Sequence, residues 1–131
     1  MKILLDTHCW LWMAVAPERF SPSALELVSD PDIRLFLSAV SAWEISIKYA
    51  LGKLELPLPP GKYVPSRMET TGVEGLAVSH AHGLKAGGLP SHHRDPFDRM
   101  LVAQAQLEGM PLLTADRQIH LYDLEVIEAS V

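Results

Sequence analysis

Ile3, Leu4 and Leu5 form an unbroken apolar run that ends on Asp6. A short run of this kind predicts a strand buried on both faces, as in the middle of a parallel sheet. An acid directly behind such a strand is costly if it stays buried and unpaired. Taken alone, Asp6 reads as a solvated strand end or as a cap for the next helix. Three further acids recur in similar places, and that recurrence points to a site.

The rest of the chain repeats the pattern of strand, turn and helix. Thr7 is placed to cap a helix through Trp10, Leu11 and Ala14, which Pro17 ends. Ser21-Pro22 opens a second helix with Leu25 and Val28 on its apolar face. Asp30-Pro31-Asp32 is a turn, and Arg34 to Leu37 reads as a second strand. Ser38 or Ser41 opens the next helix, whose apolar face is predicted at Val40, Trp43, Ile47 and Ala50/Leu51, with Gly52 at its end. Glu44 lies beside that face. Pro57, Pro59 and Pro60 form a stiff connection within a single domain, residues 1–131. Tyr63 to Thr70 is a helix that tolerates Pro65 only near its start. Leu76-Ala77-Val78 reads as a third strand, and Ser79 caps a short helix ended by Gly87-Gly88. After a polar loop, Asp95-Pro96-Phe97-Asp98 carries a cap, a proline at the first helical position and a first-turn acid. That helix runs to Gly109. Pro111 to Thr114 and Leu124 to Ile127 are the fourth and fifth strands. Alternating strands and helices predict an α/β sandwich around a mostly parallel sheet.

In such a sheet all the strand-to-helix loops share one edge, where ligands bind. Asp6, Glu44, Asp98 and Asp116 follow the first, second, third and fourth strands, so one edge receives all four. Each has an ordinary alternative: a first-turn acid favoured by the helix dipole for Asp98, a short-helix cap for Asp116, an i,i+4 pair with Lys48 for Glu44. Sustaining all the alternatives takes four coincidences on one edge. Clustered carboxylates do not all ionise without a cation. Oxygen donors suit Mg²⁺ or Mn²⁺, and no Cys or His set has zinc spacing. An acidic site of this kind points to phosphoryl chemistry.

With 131 residues the chain is long enough for a core. Its formal net charge of −5 argues against a general electrostatic nucleic-acid binder, though not against an enzyme whose acidic pocket is neutralised by metal. No apolar run is long enough to cross a bilayer, and Asp6 interrupts the N-terminal apolar stretch, so neither a membrane span nor a signal peptide is expected. The single cysteine, Cys9, fits a reducing cytoplasm and a small buried apolar role.

Four segments taken together resemble the signatures of PIN-domain proteins, and among them the VapC-type toxins of bacterial toxin–antitoxin pairs. They are Leu4-Leu5-Asp6-Thr7-His8, Ser41-Ala42-Trp43-Glu44-Ile45-Ser46-Ile47-Lys48, His92-His93-Arg94-Asp95-Pro96-Phe97-Asp98-Arg99 and Leu112-Leu113-Thr114-Ala115-Asp116. The likeness covers almost the whole chain, including the Leu51-Gly52-Lys53-Leu54 turn. It implies a three-layer α/β/α sandwich and a Mg²⁺- or Mn²⁺-dependent endoribonuclease. By motif, Asp6, Glu44, Asp98 and Asp116 match the family's acidic quartet, catalytic and metal-binding. Thr7 and Thr114 match polar positions beside the acids, and Asp95 belongs to the subgroup's signature. The resemblance also implies an RNA substrate, a homodimer and a cognate antitoxin.

Arg94, Arg99, Lys48, His92 and His93 are candidates for contacting phosphate, or plain solvated charges, and stand outside the proposed site. Trp10, Trp12 and Met13 look exposed and are expected to lie in the homodimer interface. Two other functions compete with the nuclease. One is a magnesium-dependent phosphatase with Asp6 as nucleophile, although Asp6-Thr7-His8 lacks the second acid two residues on. The other is a non-catalytic module whose acidic pocket captures basic side chains.

Overall fold

The apolar run at the start of the chain is β1 (Lys2–Leu5), the central strand of a five-stranded sheet. In the computed structural model, which describes residues 1–131, it is joined by β2 (Arg34–Ser38), β3 (Glu74–Leu76), β4 (Leu112–Thr114) and β5 (Val126–Glu128). The order across the sheet is β3-β2-β1-β4-β5 and every neighbouring pair is parallel. Six helices connect the strands: α1 (Thr7–Val15), α2 (Pro22–Ser29), α3 (Ala39–Ala50), α4 (Pro60–Thr71), α5 (His80–Gly87) and α6 (Pro96–Glu108).

Alternation along the strands divides the interior in two. Ile3, Leu5, Leu35, Leu37 and Leu113 face a layer that includes Trp10, Ala24, Ile45 and Tyr63 from α1 to α4. Leu4, Phe36 and Leu112 face Ala86, Leu101, Val102 and Ala105 from α5 and α6. This is the expected three-layer α/β/α sandwich. Full burial of Ile3, Leu4 and Leu5 stabilises the fold by roughly 2 kcal/mol for each side chain. Positive φ angles at Gly52 (+72°) and Gly109 (+65°) turn the chain just past α3 and α6, where an L side chain would be strained. No helix is long and apolar enough to cross a membrane.

Several local expectations are corrected. Asp6, not Thr7, takes the cap position of α1, yet its side chain makes no capping hydrogen bond. Leu25 points outward and Ala24 is the buried residue of α2. β3 lies two residues before Leu76-Ala77-Val78, at Glu74–Leu76, and Arg34 on β2 donates to Glu74 in two hydrogen bonds of 2.8 and 2.7 Å. α4 begins at Pro60, so Pro65 sits inside it. Trp10 is only 3% exposed and packs edge-on against Tyr63, so it belongs to the core, and Trp12 and Met13 are half-buried. On α3 the buried residues are Val40, Ser41, Glu44 and Ile45, whereas Trp43 is 62% exposed. Cys9 is buried, and burial, then the charge of Asp6, pushes its thiol pKa up, in keeping with a packing role.

Candidate active site

In the order β3-β2-β1-β4-β5 the direction of winding reverses between β1 and β4, and the carboxyl ends of those strands flank the crevice where such sheets bind ligands. Asp6 leaves β1 at this point and Asp116 follows β4. Asp6 is 4% exposed. Its Oδ2 accepts a 2.6 Å hydrogen bond from Thr114 Oγ1, and its Oδ1 is buried without a partner. Burial pushes the Asp6 carboxyl pKa up, the Thr114 hydrogen bond opposes this, and Glu44 adds to the rise. Thr114 Oγ1 also accepts from the Asp116 backbone N–H at 3.0 Å, which ties two of the acids to one hydroxyl. Beside them Thr7 donates to Ser41 Oγ at 2.8 Å, closing α1 against α3.

Glu44 reaches the edge from α3 and is 3% exposed. Lys48 donates to its Oε2 at 2.6 Å, while Oε1 is buried and unpartnered. The i,i+4 pair expected as an alternative for Glu44 therefore exists, yet it uses only one of the two oxygens. Burial works against the Lys48 charge, but its bond to Glu44 and the fields of Glu44, Asp95 and Asp98 leave its pKa raised. Lys48 and Glu44 line a cleft of about 220 Å³ with Thr7, His8, Leu11, Ile45, Lys53 and Leu54. Two larger cavities, of about 430 and 490 Å³, lie around Lys85 and Asp123, and none of the four acids lines them.

Asp98 sits in the first turn of α6. Asp95 caps that helix, accepting from the Phe97 N–H at 2.8 Å and the Asp98 N–H at 3.3 Å. This leaves the Asp98 carboxylate free of capping. Its pKa is pushed up to about 8, first by burial and then by Asp6, Asp95, Glu44 and Asp116. The other three predicted acids thus all act on Asp98, and Glu44 acts on Asp6. His93 Nε2 lies 3.1 Å from Asp98 Oδ2 and 2.7 Å from Asp116 Oδ2. These three residues can bring one ligand atom each within 4.8 Å of one another.

Two buried carboxylate oxygens without donors, at an edge that also carries Asp98 and Asp116, are costly unless a cation is there. Oxygen donors of this kind fit a hard divalent ion. Asp98 and Asp116 lie, with His93, within common reach of one ion, and Asp6 and Glu44 stand at the same edge with an unpartnered oxygen each.

The basic residues divide differently from the expectation. Arg99 is not a free phosphate contact. Its guanidinium donates to the carbonyls of Ala86, Leu89, Pro90 and His93 at 2.8 to 3.3 Å, and to Gly87 at 3.5 Å. It pins the loop that leads into α6. Arg99→Ala is expected to cost on the order of 2 kcal/mol and to speed amide exchange across residues 86–93, and unchanged protection there would contradict this role. Arg94 is exposed. His92 packs edge-on against Tyr122. The bridging position of His93 has no sequence signal beyond its place in the loop, where a phosphate contact and a solvated charge are the readings the sequence offers.

Residues 3–124 match the family model of the PIN domain. The chain belongs to the PIN-domain family. It is 30% identical over 118 residues to Ribonuclease VapC22 of Mycobacterium tuberculosis, covering 89% of this chain and 88% of that protein. It is 49% identical over 67 residues to Ribonuclease VapC16 of the same organism, a match that spans about half the length of each, 50% of this chain and 48% of VapC16. Solved structures share the fold at lower identity. VapBC2 from Rickettsia felis, bound to a DNA fragment from its promoter, aligns with a TM-score of 0.68 and 14% identity over 99% of this chain and 100% of that one. VapBC-1 from nontypeable Haemophilus influenzae aligns with a TM-score of 0.65 and 22% identity over 98% of both chains.

Proposed function

We propose that residues 1–131 form a single PIN-like nuclease unit, a Mg²⁺- or Mn²⁺-dependent endoribonuclease that serves as the toxin of a toxin–antitoxin pair in the cytoplasm. The observation that carries this reading is the pair of buried, unpartnered oxygens, Asp6 Oδ1 and Glu44 Oε1, beside a crowded Asp98. A site with that charge balance suits a divalent cation, and two relatives similar to this chain in sequence are named ribonucleases.

Asp6, Glu44, Asp98 and Asp116 hold the ion in this reading. Thr114 turns Asp6 so that Oδ1 is presented to it, and Lys48 does the same for Glu44 Oε1. A divalent ion in such a site activates water and offsets charge on a phosphodiester. Lys48, Lys53 and His8 supply positive or hydrogen-bonding groups along the adjoining cleft, which suits a strand of RNA phosphates. A phosphatase with Asp6 as nucleophile is less well supported, because Asp6 is buried and one of its oxygens is engaged by Thr114. RNA incubated with the protein should be cleaved with Mn²⁺ or Mg²⁺ and spared in EDTA or by Asp6→Asn. Cleavage that survives both treatments would overturn the reading.

The partners follow from the same site. A solved neighbour from Klebsiella pneumoniae is a toxin–antitoxin complex, which supports an antitoxin for this chain. Trp10 is buried, and the exposed apolar side chains offered to a second copy include Trp43, which packs edge-on on Phe97, and Leu51. A metal-free acidic pocket is a receptor for an arginine, whose planar fork matches carboxylate oxygens. A basic antitoxin side chain reaching Asp6, Glu44, Asp98 or Asp116 is therefore expected. In the absence of metal, an Asp98→Asn, Asp116→Asn double variant should bind the antitoxin about thirtyfold more weakly, ~2 kcal/mol. Equal affinity would mean that inhibition works by covering the cleft without touching the acids.

A further inference from the structure

We propose that His93 is a positioning residue of the cation site, a fixed donor whose Nε2–H bridges Asp98 and Asp116 and sets their carboxylates for the ion. The inference rests on the divalent-cation reading above and assigns His93 a part in it.

The hydrogen bonds around the ring decide which nitrogen carries the proton. The Asp95 backbone N–H donates to His93 Nδ1 at 3.0 Å, so Nδ1 acts as an acceptor and carries no hydrogen. Nε2 then carries it and donates to Asp116 Oδ2 at 2.7 Å and Asp98 Oδ2 at 3.1 Å. With that tautomer fixed by a backbone donor, Nε2 has no lone pair to offer an ion. His93 is thus a donor to the ligands and not itself a ligand.

The ring is also held in place. The His93 N–H donates to Tyr122 Oη at 2.9 Å, and that hydroxyl donates to Pro90 O at 2.8 Å. Arg99 Nη1 donates to the His93 carbonyl at 3.3 Å. An imidazole restrained at its backbone N–H, its carbonyl and Nδ1 keeps its place when the site fills.

The other two acids show the same device. Thr114 holds Asp6 Oδ2 and leaves Oδ1 free, while Lys48 holds Glu44 Oε2 and leaves Oε1 free. In each case one oxygen is taken by a donor on the chain, which fixes the carboxylate plane and leaves the second oxygen for the cation. His93 takes one oxygen of two acids at once, Oδ2 of Asp98 and Oδ2 of Asp116, while the second oxygen of Asp116, Oδ1, accepts from the Gln118 N–H at 2.9 Å and is thereby fixed as well. Asp98 and Asp116 come from different elements and repel each other. Partners that orient ligating groups in this way are worth about 10- to 100-fold in metal affinity.

The test is calorimetric titration of Mn²⁺, and of Mg²⁺, into the wild type, His93→Phe, His93→Gln and Asp6→Asn, with melting of each in EDTA. His93→Phe keeps a ring without a donor and should bind Mn²⁺ about 10- to 100-fold more weakly. His93→Gln places an N–H near the position of Nε2 and should recover part of that loss, with EDTA melting within a few degrees of wild type for both. Unchanged or tighter Mn²⁺ binding by His93→Phe would overturn the proposal, since the ring would then be a bystander or a competitor for the ion's seat. Equal losses in the Phe and Gln variants, together with lowered melting in EDTA, would overturn it in favour of a purely structural role. If the wild type binds Mn²⁺ and Asp6→Asn does not, while His93→Phe matches the wild type, only the positioning role fails. A wild type that binds neither ion overturns the cation reading and this proposal with it.

Discussion

Asp6→Asn is expected to lower RNA cleavage about a thousandfold at saturating Mn²⁺, roughly 4 kcal/mol of lost charge stabilisation. The substitution keeps the shape of the side chain, and an asparagine Oδ1 can still accept from Thr114. What it removes is the charge on a buried acid of the site, at the reversal between β1 and β4. Melting in EDTA should show no loss of stability, because burial already pushes the Asp6 carboxyl pKa up and the metal-free fold gains by losing that charge. Full activity in Asp6→Asn would remove Asp6 from the site. Inactivity with a large drop in melting temperature would make it a structural residue.

Asp98→Asn should raise metal-free stability while abolishing cleavage. The Asp98 carboxyl, ordinarily near 3.8, is pushed up to about 8 by burial and then by its four acidic neighbours. The folded chain therefore binds a proton at this position that the unfolded chain has already released, and stability is lost as pH rises from about 4 to about 8. Asparagine carries no such penalty. At pH 8 in EDTA the variant is expected to melt higher by about 5 °C or more, a gain of a kcal/mol or more. The gain should shrink as the pH is lowered and vanish near pH 4, where the acid is protonated in both states. Excess Mn²⁺ should reverse the order, because an ion at a hundred times its dissociation constant stabilises the wild type by about 2.7 kcal/mol. A variant less stable than wild type at pH 8 in EDTA would mean that Asp98 supports the fold.

The sequence shows clearly where structure follows from local chemistry. Ile3-Leu4-Leu5 is a central strand because only a doubly covered position accepts three apolar residues in a row. Asp95-Pro96 opens α6 because cap and proline act within one turn. The convergence of Asp6, Glu44, Asp98 and Asp116 on one edge is also readable, since parallel strands send their loops the same way. The face of α3 is not. Two faces fit a helical period, and apolarity selects Trp43, Ile47 and Leu51, whereas the fold buries Ser41 and Glu44 with Val40 and Ile45. Those polar residues can be buried because Thr7 and Lys48 meet them, and those contacts come from the tertiary fold and from the next turn. β3 is displaced as well: its place is its register against β2, Phe36 with Glu74 and Ser38 with Leu76, a pairing its own short apolar run does not reveal. His93 looks like a loop histidine until the Asp95 N–H fixes its tautomer and Asp98 and Asp116 close on it.

The chemistry of the cut ends tests the central claim most directly. RNA cleaved by the protein in Mn²⁺ would be recovered and its termini assayed by end-labelling before and after phosphatase treatment. Hydrolysis at the acidic edge by an activated water predicts 5′-phosphate and 3′-hydroxyl ends. Fragments ending in 2′,3′-cyclic phosphate and 5′-hydroxyl would show that the ribose hydroxyl is the nucleophile and would contradict the account.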